Sequence, residues 1–172
     1  AGYYAAEVKT LELPQDNGSV RVVFDVKEGS RVAISQVVVE GNRRYSDKAV
    51  VGRMSTRPEG FWWFQKGEYD EAKLDEDIRE RLPRWYADRG FVDFQVTGDS
   101  LEADSAGGKA ILHLDVTEGD RYAVGIFDVE GNRRFSRDEV LAFYPFAPLS
   151  AQGTPQGPPR PFNRSEWESA TE

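Results

Sequence analysis

Cysteine is absent from the 172-residue chain. That excludes a disulfide framework, thiol catalysis and thiolate zinc sites together, but it does not fix the compartment, because Cys-free chains occur in oxidising and reducing spaces alike. Histidine is nearly absent: His113 stands alone, which leaves little room for a His-based metal site or a Ser-His-Asp triad. No stretch approaches the roughly eighteen apolar residues of a membrane-spanning helix. The first residues, Ala1-Gly2-Tyr3-Tyr4, show neither an initiator Met nor a charged-then-apolar leader, so the expectation is a mature chain or a fragment. Basic residues are outnumbered 22 to 30, for a formal charge of −8. Nucleic acid is therefore not an expected partner, since neutralising phosphates needs a basic surface.

What is present can build a core: 39% of residues are hydrophobic and 12% aromatic, well above the range of disordered chains. The chain also repeats itself. Residues 25–50 read DVKEGSRVAISQVVVEGNRRYSDKAV, and residues 115–140 read DVTEGDRYAVGIFDVEGNRRFSRDEV. Roughly half the positions are identical, a self-similarity that marks a repeat architecture. Gly2 to Val8 resembles Gly90 to Val96, and Tyr69 to Leu74 resembles Phe162 to Trp167. The spacing places the end of one unit at 1–29, a complete unit at 30–119 and the beginning of another at 120–172. The termini cut units in half, so a fragment of a longer array is expected.

Within the complete unit, Val32 to Glu40 reads as a strand with Val37 and Val39 inward and Val38 outward. The second copy agrees, because Asp128 replaces Val38 while Phe127 and Val129 stay apolar. Gly41-Asn42 ends the strand in a turn needing positive φ. Ser46 caps a short helix, and Ser136 with Glu139 has capping-box spacing in the second copy. A second helix is expected from a cap at Asp70 to Asp88, with Leu74, Ile78, Leu82, Trp85 and Tyr86 as its apolar stripe. Pro83 should kink it. Gly90 supplies the stop. Phe91 to Thr97 reads as a strand with Val92, Phe94 and Val96 on one face and Asp93 and Gln95 on the other. Lys109 to Glu118 reads as its partner, with Leu101 to Lys109 as the connection. The tail from Pro145 to Glu172 is Pro-rich, and its expected state is poor order.

A β-α-α-β-β unit with V-E-G-N after its first strand, Y-A-D-R-G-F at its helix exit and D-V-T-E-G in its last strand resembles a POTRA domain. The likeness is to the POTRA modules of the BamA outer-membrane assembly family, and within them to the second-to-fourth-domain region. There an interhelical loop carries a Trp pair, as Trp62-Trp63 do, and the preceding domain ends in Gly-Tyr-Tyr, as Gly2-Tyr3-Tyr4 do. The resemblance implies an α+β fold, with a small three-stranded mixed sheet carrying two helices on one face. It further implies a non-enzymatic module at the periplasmic face of the outer membrane, in a chain that also carries an outer-membrane β-barrel. Nascent outer-membrane proteins and accessory lipoproteins would be its partners, with no cofactor. A POTRA module of a TamA-type translocation protein or a two-partner secretion transporter is the alternative.

In this fold the second strand lies at the sheet edge, so the candidate binding residues are Phe91, Val92, Asp93, Phe94, Gln95 and Val96, taken by β-augmentation. A short edge kept unreactive by Asp93 and Gln95 is the competing reading. Phe61, Trp62 and Trp63 are a candidate aromatic surface, or a satellite of the core. Arg43-Arg44 and Arg133-Arg134 stand among acids and read as interdomain salt bridges or solvated side chains. The acids Asp70, Glu71, Asp75, Glu76 and Asp77 read as a solvated face at a helix N-terminus rather than a metal site. His113 reads as a surface histidine.

Overall fold

The computed structural model describes residues 3–4, 7–16, 18–27, 30–60, 69–104, 108–125, 127–144 and 159–172. Strand β1 (Tyr3–Tyr4) pairs with β4 (Ser30–Arg31), and β2 (Glu7–Pro14) forms a hairpin with β3 (Val20–Lys27). The complete unit follows: β5 (Ala33–Glu40), α1 (Asp47–Val51), α2 (Glu71–Glu76), a π-helical turn (Asp77–Arg81), α3 (Leu82–Ala87), β6 (Gln95–Asp104) and β7 (Lys109–Thr117). Helices α4 (Arg137–Leu141) and α5 (Arg164–Thr171) lie beyond it.

The sheet of the complete unit runs β5-β7-β6, with β5 parallel and β6 antiparallel to β7. Alternation along its strands sends Val37, Val39, Ala110, Leu112, Leu114 and Val116 into the core, where Val50, Met54, Leu74, Leu82, Tyr86, Phe91 and Phe94 meet them from the helical side. The opposite face, with Val38, Ile111 and His113, stays partly exposed. His113 pairs there with Glu102 across the β6–β7 ladder at 3.4 Å, as a surface histidine should.

The helical element is continuous from its Asp70 cap, but its middle is wider than an α-helix. Pro83 is the reason. It has no N–H to donate to the carbonyl one turn back, and the π-turn ending just before it re-pairs the backbone, with Leu82 N–H donating to Asp77 O. The expected kink is thus absorbed as a bulge.

The repeat is structural as well as textual. Gly41 and Gly131 both take positive φ, +93° and +82°. Asn42 Nδ2 donates to Tyr45 O at 3.0 Å, and Asn132 Nδ2 to Phe135 O at 2.9 Å. Ser46 and Ser136 cap α1 and α4, the latter in a full capping box, and Asp70 and Asn163 cap α2 and α5. The register Glu7↔Lys27 in the hairpin recurs as Gln95↔Thr117. Val20, Val22, Phe24 and Val26, the counterparts of the buried Ala110, Leu112, Leu114 and Val116, are exposed on the hairpin.

Two expectations fail here. Residues Arg164–Thr171 of the Pro-rich tail form a helix that docks on the complete unit. Asp88 accepts from Ser165 N–H and Oγ–H at 2.8 and 3.0 Å, and Arg84 reaches Glu168 at 3.4 Å. Positions 145–158 lie outside the described residues. Asp77 is not part of a solvated face: it is fully buried and accepts from Ser55 N–H and Thr56 N–H, each at 2.7 Å. Helical periodicity puts it on the same side as Leu74, and two otherwise orphaned donors of a turn make burial of the carboxylate affordable.

Candidate protein-binding edge

Helix α3 ends at Ala87, the chain turns at Gly90, φ +92°, and Phe91 to Phe94 then form a turn closed by Phe94 N–H to Phe91 O at 3.3 Å. The strand starts only at Gln95 and runs on to Asp104. Phe91, Val92, Asp93 and Phe94 are therefore not edge-strand residues. A spacing of three, not two, governs this segment. Phe91 and Phe94 point into the core, Phe94 stacked on Tyr86 with ring centroids 3.9 Å apart, while Val92 and Asp93 sit exposed at the tip. Asp93 accepts from Tyr122 O–H at 2.7 Å, and this bond raises the Tyr122 hydroxyl above its usual pKa. Of the six edge candidates, Gln95 and Val96 lie on β6. Correspondingly, Leu101 to Asp104 is strand rather than connection.

Backbone geometry decides which groups of β6 face outward. Ala33 N–H donates to Gly108 O, so even-numbered residues of β7 point to β5 and odd-numbered ones to β6. Through the pairs Gln95↔Thr117, Gly98↔Asp115, Ser100↔His113 and Glu102↔Ile111, those β6 residues bond inward. Val96, Asp99, Leu101 and Ala103 are left with N–H and C=O groups on the open side. A bulge at Thr97, opposite Asp115 with Gly98, separates the first from the rest, and Thr97 Oγ1 ties it to Asp115 O at 3.2 Å. Val96 and Leu101 hold the strand down on the core, whereas Asp99 and Ser100 are exposed.

The other edge of the sheet is occupied by its own chain. Tyr69 N–H donates to Val32 O at 3.1 Å and Glu59 N–H to Ile34 O at 2.8 Å. Val39 N–H makes a long contact of 3.5 Å to Asp47 Oδ2. Among the described residues no backbone group pairs with the outer side of β6. Phe61, Trp62 and Trp63, the candidate aromatic surface, lie outside the described residues. Among the described residues no group of His, Asp and Glu could hold a metal ion, and no helix is long and apolar enough to cross a membrane. Among the described residues Arg43 and Arg44 form no ion pair; their backbone N–H groups both donate to Glu118 at 3.0 Å.

A family model described as surface antigen variable number repeat, POTRA, matches residues 32–119. This chain belongs to the POTRA family. The POTRA boundaries coincide with the β5-to-β7 unit, and the mixed sheet with helices on one face is the fold expected of it. BamA of Neisseria meningitidis, an outer membrane protein assembly factor, is 26% identical over 126 residues, covering 72% of this chain and 15% of that protein. BamA of Buchnera aphidicola is 23% identical over 128 residues, covering 73% of this chain and 21% of that protein. The chain therefore spans a small fraction of the relatives it matches. The crystal structure of the third to fifth POTRA domains of Haemophilus influenzae BamA aligns over 98% of this chain and 60% of its own, with a TM-score of 0.52 and 18% identity, a likeness of fold.

Proposed function

We propose that this chain is a periplasmic scaffold segment of an outer-membrane β-barrel assembly protein. It would receive nascent outer-membrane proteins, and accessory lipoproteins, by β-augmentation on β6. Residues 30–119 form the working POTRA domain, 1–29 the end of the domain before it and 120–172 the beginning of the next. The observation that carries this reading is the row of main-chain groups at Val96, Asp99, Leu101 and Ala103 that find no partner among the described residues. Main-chain pairing is nearly blind to side-chain sequence, which suits a receptor for many clients.

Crosslinking to an unfolded outer-membrane barrel protein tests it. Asp99→Pro removes an outward N–H without touching the β7 ladder and should weaken crosslinking at least tenfold, equivalent to about 1.4 kcal/mol, with circular dichroism unchanged. Asp99→Ala, which keeps the N–H, should crosslink normally. Undiminished crosslinking of Asp99→Pro overturns the assignment. Gln95→Pro would instead break the β7 ladder, because the Gln95 N–H faces Thr117.

A further inference from the structure

We propose that Ser55 to Gly60 is a strap whose role is to close the β5 edge against the β6 edge of a second copy of this chain. A sheet with both edges open has two complementary surfaces. The contact between one copy's β6 and the next copy's β5 is heterologous and generates an open-ended fibre rather than a closed dimer. One edge must stay open if β6 is to accept strands, so the other has to be blocked. The inference needs only the openness of β6, not client binding to it.

The strap is anchored at both ends. Asp77, buried in the π-turn, accepts from Ser55 N–H and Thr56 N–H at 2.7 Å. Arg57 Nε donates to Met54 O at 3.0 Å, which fixes the bend. At the far end Glu59 N–H donates to Ile34 O at 2.8 Å, and the Glu59 carboxylate pairs with Lys109 at 3.4 Å. A strand arriving at β5 needs the Ile34 carbonyl that Glu59 already holds. The buried Asp77 carboxylate thereby acquires a purpose: it costs desolvation, and it holds a loop where an exposed strand edge would otherwise lie.

Glu59→Pro tests this in the 172-residue chain, because it removes the N–H that reaches Ile34 while leaving Asp77 and the core in place; Glu59→Gln, which keeps the N–H, is the control. Sedimentation velocity should show Glu59→Gln behaving as the parent chain. Glu59→Pro should associate with a mean mass that climbs with concentration past about two monomers, and adding Asp99→Pro to block β6 should reverse this. Asp77→Asn is an independent route to the same opening. Glu59→Pro and Asp77→Asn chains that sediment like the parent, or association that persists after Asp99→Pro, overturn the proposal.

Discussion

Tyr86 donates its hydroxyl hydrogen bond to Glu118 at 3.1 Å, and the same carboxylate accepts from the N–H groups of Arg43 and Arg44. One side chain thus ties together the end of β7, the last helical turn before Gly90 and the Gly41-Asn42 turn. Glu118 is buried and fully engaged, so it spends its charge on three donors that would otherwise be orphaned.

Glu118→Ala should therefore cost about 1–3 kcal/mol, the penalty for leaving buried donors without an acceptor. Urea unfolding followed by Trp fluorescence should show a lower midpoint with an unchanged slope. A loss below about 0.5 kcal/mol, the range of ordinary surface substitutions, would show that water replaces the carboxylate at no cost.

Stability should also fall in alkali because of Tyr86. Burial first, and then the Glu118 carboxylate, push this hydroxyl far above its ordinary pKa of 10. The folded chain thus keeps a proton that the unfolded chain releases above pH 10. The contribution is complete below pH 10 and is lost as pH rises toward the folded value, by up to about 1.4 kcal/mol per pH unit. Tyr86→Phe should be less stable at pH 7 but should lose less stability between pH 10 and 11 than the parent. Equal slopes for the two chains would contradict the burial of this hydroxyl.

The turn after the helix gives a direct comparison. Phe91→Ala and Phe94→Ala should each destabilise by about 3–5 kcal/mol, whereas Val92→Ala should change stability by no more than about 0.5 kcal/mol. Were this segment a strand with Val92 and Phe94 inward, Val92 and Phe94 would be sensitive and Phe91 would not. Thermal unfolding of the three variants decides between the two.

That comparison also shows what could be read from the residues. Strand β5, its turn, both helix caps and the alternation of β7 were all legible, because each rests on local chemistry repeated in two copies. The start of β6 was not: Phe-Val-Asp-Phe fits a period of two and a turn with aromatics three apart equally well, and only the Tyr86 ring in the folded chain selects the second. Asp77 and Glu118 were read by charge, as solvated face and strand end, since the donors they accept from, backbone N–H groups and the Tyr86 hydroxyl, lie 21 to 75 residues away. Of the candidate edge residues, Phe91 to Phe94 precede the strand, and the outward positions Asp99, Leu101 and Ala103 lie beyond a bulge at Thr97 that no residue pattern marks.

Gly41 and Gly131 occupy the same turn of the repeat but face different demands. A Cβ on Gly41 would lie 1.9 Å from the Val116 carbonyl oxygen, whereas one on Gly131 would meet nothing within 4 Å. Both also need positive φ, which costs an L-residue about 1–2 kcal/mol. At Gly41 the obstacle is backbone of β7, which cannot turn aside like a side chain, so Gly41→Ala should separate β5 from β7. The expected loss is about 4 kcal/mol or more, in the range that singles out a specific steric defect. Gly131→Ala should confine its strain to its own turn and leave the main unfolding transition of the POTRA unit within about 0.5 kcal/mol of the parent. Differential scanning calorimetry on the two variants separates the close approach from the dihedral requirement. Similar losses at both positions would mean that φ alone explains the glycine, and that the contact with Val116 contributes little.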